Sequence, residues 1–136
     1  MKRRVNKILF VLPPGMSVVQ PDGSRQCKEC CPPVGVAYLV AQLKDNYDVR
    51  VYDMVAEDFW NESHIEEDLI YYGAAYSEYE KVLKDFQPDL VGFQCMLSAR
   101  VPHVLKLCEI TKRFYPQTYT VLGAHHATAL PDHVLS

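Results

Sequence analysis

Lys7-Ile8-Leu9-Phe10-Val11-Leu12-Pro13-Pro14 is answered, about eighteen residues later, by Pro32-Pro33-Val34-Gly35-Val36-Ala37-Tyr38-Leu39. The first string is a short apolar run stopped by proline, as a fully buried strand reads. In the second, proline opens a helix in which Val36, Leu39, Val40 and Leu43 repeat at helical spacing. A buried strand, a Pro-Pro turn, a loop and a returning helix form the first half of an open α/β sheet. Ligands of such sheets collect outside the carboxyl ends of the strands.

The rest of the chain repeats that alternation. Asp48 to Asp53 alternates and reads as a second strand. Tyr79, Val82, Leu83 and Phe86 stripe a helix over 77–86, ended by Gln87-Pro88-Asp89. Leu90 to Gln94 is a third strand, and a helix over 101–115 carries Val104, Leu105, Leu107, Cys108 and Ile110 until Pro116 stops it. Residues 118–122 give a fourth strand, and a last helix begins near Pro131. The acidic, aromatic stretch 54–75 suggests a short helix around 63–70. Residues 13–31 read as one long loop, and connections of that length are commonly functional or mobile. Strand and helix in turn argue a parallel sheet with helices on both faces. An open sheet of this class usually has five or more strands, so a further strand is expected.

The totals suit one folded domain. The chain has 136 residues, 49% of them hydrophobic and 23% charged, with a net charge of −3. Only Lys2-Arg3-Arg4 gathers basic charge, which argues against nucleic-acid binding. No apolar stretch reaches the roughly twenty residues of a membrane span. The first apolar run is short for a secretory signal and meets Pro-Pro-Gly, so a cytoplasmic location is expected. The five cysteines then read as thiols in a reducing compartment. Cys95 and Cys108 fall in expected core elements.

These blocks, followed by Gln87-Pro88-Asp89-Leu90-Val91-Gly92-Phe93 and Val121-Leu122-Gly123-Ala124-His125-His126-Ala127-Thr128, resemble the N-terminal cobalamin-binding domain of cobalamin-dependent radical SAM enzymes. The resemblance spans nearly the whole chain, 1–136. It implies a flavodoxin-like, Rossmann-type open sheet with a corrin across its C-terminal edge, touched by the loops after strands one, three and four. Carried over, those loops supply Pro13, Pro14, Gly15 and Met16, then Cys95, Met96, Leu97 and Ser98, then Gly123, Ala124, His125, His126 and Ala127. Asp53, closing strand two, lies at the same edge. A corrin is a broad, largely apolar disc, suiting Met96 and Leu97. Its amide rim and nucleotide tail suit backbone donors, the Ser98 hydroxyl, and glycine where the backbone comes close.

Two departures matter. Related cobalamin domains carry Asp-x-His-x-x-Gly after strand one, and its His ligates cobalt; residues 13–33 here contain no histidine. The radical SAM branch commonly lacks that histidine, so the resemblance implies no protein ligand to cobalt from that loop. The family's strand-four turn usually has Gly-Gly, and here it is Gly123-Ala124. The cluster signature Cys-x-x-x-Cys-x-x-Cys is also incomplete, since Cys27 and Cys31 are followed by Val34. The resemblance therefore implies that the [4Fe–4S] cluster, S-adenosylmethionine and methyltransferase-type chemistry belong to a downstream module. This chain is expected to be the cofactor holder, with that module and cobalamin as its partners.

Other assignments stay open beside it. The fold is equally expected of a cofactor-free interaction domain, or of a binder of another nucleotide. Cys27, Cys30 and Cys31 suit either zinc or a solvent- or partner-facing loop, and a structural zinc wants four ligands. His125 and His126 lie at the ligand edge, either as cobalt ligands or with one packed and one facing solvent. Gly-x-Gly-x-x-Gly is absent after strand one, so Asp53 lacks the phosphate cradle of a dinucleotide site.

Overall fold

A computed structural model describes residues 3–135. Four parallel strands form the main sheet: β1 (Lys7–Leu12), β3 (Asp48–Asp53), β6 (Leu90–Gln94) and β7 (Tyr119–Gly123), in the spatial order β3-β1-β6-β7. Counted along this sheet alone, the order is 2-1-3-4, that of a flavodoxin-like sheet with its reversal beside β1. Register is tight, with Leu9 opposite Arg50 on one side and Val91 on the other.

Alternation along β1 divides the molecule into two faces. Leu9 and Val11 join Val91 and Phe93 in the main core. Helices α3 (Tyr76–Phe86) and α4 (Val101–Phe114) supply the rest of it: Tyr79, Leu83 and Phe86 from one, Val101, Val104, Leu107 and Ile110 from the other. Inside this core the Thr111 hydroxyl donates to the Leu107 carbonyl at 2.7 Å, which leaves the Tyr79 hydroxyl to donate to Thr111, also at 2.7 Å. Helix α3 ends where Gln87 takes the left-handed region at φ 52°, and Pro88 prevents its continuation.

The opposite face is covered by α1 (Val34–Leu43) alone among the described residues. This helix is apolar but for Gln42 and carries no charged residue, yet only Val36 is buried. Tyr38 is 71% exposed and Leu39 51%. At the N-terminal end of the sheet, Asp89 accepts from the amides of Asn6 and Lys7 and from the Arg3 guanidinium. Burial works to raise its carboxyl, but those three donors outweigh it and hold the group below the usual carboxylate range.

A second, antiparallel sheet was not expected. It consists of β2 (Gly15–Val18), β5 (Leu69–Tyr72) and β4 (Glu62–Glu66), in the order β2-β5-β4. The expected long loop thus holds a strand at its start, and the expected helix near 63–70 is a hairpin turning at Glu67-Asp68. The reason is pairing: Leu69-Ile70-Tyr71-Tyr72 is β-prone and finds edges on both sides. Tyr71 then lies against His103 at 4.6 Å between ring centroids, joining the small sheet to α4.

Candidate functional site

The C-terminal ends of β1, β3 and β6 surround a cleft of about 490 Å³. Pro13, Asp53, Met96 and Leu97 stand on its walls with Cys30, Cys31, Pro33 and Arg100. A second groove, about 470 Å³, runs from this edge along the α1 face of the sheet. Phe10, Val36, Leu39 and Val121 line it, and Met96, Gly123, Ala124 and His125 close its upper end. Gly35, Gln94 and Met96 belong to both, so the two spaces meet. Built side chains on Gly35 or Gly123 would meet nothing within 4 Å. Glycine leaves open volume at the junction through Gly35 and in the groove through Gly123.

The sequence-expected residues divide into three groups. Pro13, Asp53, Met96, Leu97, Gly123, Ala124 and His125 face the two spaces. Pro14 and Gly15 are buried where the small sheet begins, and Met16 pairs with Tyr71 within it. These three line neither space. Cys95 is wholly buried, its thiol donating to the Leu97 carbonyl at 3.5 Å. Ser98 and Ala127 line neither space. The Ser98 hydroxyl bonds His126 Nδ1 at 2.8 Å, and His126 Nε2 lies 3.3 Å from His133 Nδ1. His126 is therefore the packed member of its pair, with both ring nitrogens engaged. His125 is exposed at the groove.

Asp53 also has a structural task. Its Oδ1 accepts from the amides of Val55 and Ala56 at 3.0 and 3.2 Å, capping α2 (Met54–Glu57). Phe10, Gly35, Leu39, Gln94, Val121 and Arg100 were not expected at the site. For Phe10 the signal was available, because it shares the pleat face of Ile8 and Leu12 rather than that of Leu9 and Val11.

The thiol loop is held from behind. Lys28 Nζ lies 4.6 Å from the Phe59 ring centroid, 4.9 Å from Trp60 and 5.5 Å from Tyr72. It also donates to the Phe59 carbonyl at 2.9 Å and pairs with Glu62 at 2.9 Å. Next to it, the Tyr72 hydroxyl accepts from the Glu29 amide at 3.0 Å and donates to the Glu29 carbonyl at 3.2 Å. An aromatic cage and a carboxylate thus fix one end of residues 28–31, and Pro32-Pro33 stiffens the other. Among the described residues no three of His, Cys, Asp and Glu are grouped to hold a metal ion.

Ala124 sits at φ 76°, ψ −166°, backbone that is essentially glycine's. Such a residue costs of order 1–3 kcal/mol. Ala124→Gly is expected to raise stability by about 1 kcal/mol, read as a higher urea midpoint at unchanged slope. An unchanged or lower midpoint would remove the strain.

Residues 25–136 match the family model of the B12 binding domain. The chain belongs to the B12 binding domain family. This B12 binding domain is 31% identical over 132 residues to cytidylyl-2-hydroxyethylphosphonate methyltransferase of Streptomyces wedmorensis. It is 30% identical over 129 residues to an uncharacterized methyltransferase of Pyrococcus horikoshii. Each match covers 95% of this chain and 24% of the relative, so the chain spans about a quarter of their length. No solved structure matches it significantly. No helix among the described residues is long and apolar enough to cross a membrane.

Proposed function

We propose that this B12 binding domain holds cobalamin for a radical SAM methyltransferase, in the cytoplasm, as the cofactor domain of a longer protein. The radical chemistry, with its [4Fe–4S] cluster and S-adenosylmethionine, belongs to a downstream module. The observation that carries the proposal is the junction at Gly35, Gln94 and Met96. There an edge cleft large enough for one side of a disc opens into a narrow apolar groove suited to a tail. A bound cobalamin supplies a carrier for a methyl group. The chain's own residues do the rest: Pro13, Met96 and Leu97 offer an apolar bed, and Gln94 offers an amide at the junction. Phe10, Val36, Leu39 and Val121 exclude water from the groove.

The uncharged, exposed surface of α1 supports the second half of the proposal. A helix apolar on most of its circumference is normally covered, and the methyltransferase relatives are about four times as long as this chain. The same surface is the observation favouring the alternative, a cofactor-free docking domain. Anaerobic titration with hydroxocobalamin, followed by desalting and an absorbance spectrum, separates the two. Retained, stoichiometric pigment is expected. A folded chain that keeps none would overturn cobalamin holding and leave docking.

A further inference from the structure

We propose that the Cys30–Cys31 pair supplies a thiolate axial ligand to the cobalt of a corrinoid seated over the edge cleft. This rests on the cobalamin proposal above. Both thiols line that cleft, on the segment directly before α1, between β1 and the helix that returns from it. Residues 13–33 contain no histidine, and His126, near the same edge, has both ring nitrogens engaged. His125 lines the groove and not this cleft. The two thiols share the cleft with the Met96 thioether, and of these a thiol alone becomes an anionic ligand by losing its proton. A free metal ion needs three or four protein ligands, which this loop does not assemble. A cobalt already held by a corrin needs only one.

The loop is also built to present them. The Lys28 cage and the two Glu29–Tyr72 hydrogen bonds stop immediately before Cys30, and Pro32 begins immediately after Cys31. Pinning on both sides lowers the ordering cost of a contact made between them. A coordinating metal removes the proton of the thiol that binds it. On binding, a Co–S bond forms, a solvent ligand leaves cobalt, and the S–H proton passes to water. Cobalt remains Co(III) throughout, so no oxidant or reductant is required.

The test loads hydroxocobalamin anaerobically onto the chain and onto the Cys27→Ser and Cys30→Ser/Cys31→Ser variants. Spectra of the desalted proteins are compared with hydroxocobalamin alone and with hydroxocobalamin mixed with excess glutathione. Wild type and Cys27→Ser are expected to show the thiolate-type spectrum. The double variant should retain the pigment with the spectrum of hydroxocobalamin alone. All three positions are exposed, so serine leaves the fold intact. Retained pigment without the thiolate spectrum in wild type overturns the ligand and spares the cobalamin proposal. A thiolate spectrum surviving in the double variant overturns it equally. Pigment lost by wild type overturns both.

Discussion

Gly35→Leu is expected to raise the melting temperature of the chain while weakening cobalamin retention by one to two orders of magnitude. The two effects have separate origins. Gly35 lies in the first turn of α1, where glycine costs about 1 kcal/mol relative to a good helix former. Nothing stands within 4 Å of the side chain it lacks, so leucine enters without displacing protein. The space it enters is the junction of cleft and groove. Overfilling a packed site costs about 1–3 kcal/mol, and each 1.4 kcal/mol is tenfold in affinity. Gly123→Val fills the adjoining groove from β7 and should weaken retention as well, with little harm to the strand, since valine suits one. Equilibrium dialysis against hydroxocobalamin measures the loss, and calorimetry the melting temperature. Undiminished affinity in both variants would show that the junction is not occupied.

Gly15→Ala is expected to have the largest effect on stability. A methyl group at Gly15 falls 2.2 Å from Tyr72 Cζ and 2.6 Å from its hydroxyl. The ring is 2% exposed and has no room to yield without leaving its place. If it turns, the Glu29 hydrogen bonds go and the Lys28 cage loses a wall. Overpacking of this kind costs about 1–3 kcal/mol, with the lost hydrogen bonds adding about 1 kcal/mol. The melting temperature should fall by about 5–10 °C. Limited proteolysis should newly cut within residues 20–31. Tyr72→Phe, which keeps the ring and loses the hydroxyl, should give a smaller fall and the same new cuts. A Gly15→Ala chain that melts like wild type would mean the small sheet has another way to seat Tyr72.

The main sheet was readable because its evidence is local. The apolar runs Lys7–Leu12 and Leu90–Gln94 and the alternating Asp48–Asp53 are bounded by proline, asparagine or aspartate, and these strands carry the spans expected of them. Strand four is displaced by one residue, at Tyr119–Gly123, because Thr118 turns inward to bond the Pro88 carbonyl. The small sheet was unreadable for the opposite reason. Gly15-Met16-Ser17-Val18 has little strand character of its own and becomes one by pairing with Leu69–Tyr72, more than fifty residues away. Lys28 gave no signal either, since a single lysine in a cysteine-rich loop reads as solvated charge until Phe59, Trp60 and Tyr72 surround it. At the site, the loops after strands three and four were expected at the edge and line it in part. The α1 contribution was missed because Gly35 advertises itself only through what is absent.

The aromatic cage has a consequence for the order in which the chain acquires its shape. The loop it holds is made early, but Glu29 and its partner Tyr72 are separated by 43 residues. At about 5–20 residues per second, synthesis brings Tyr72 out roughly two to nine seconds after Glu29. Over that interval Cys27, Cys30 and Cys31 ride on a nascent segment with nothing to fasten it. The segment is therefore made well before the ring that fixes it, and its thiols meet the surrounding redox chemistry before they meet their own scaffold.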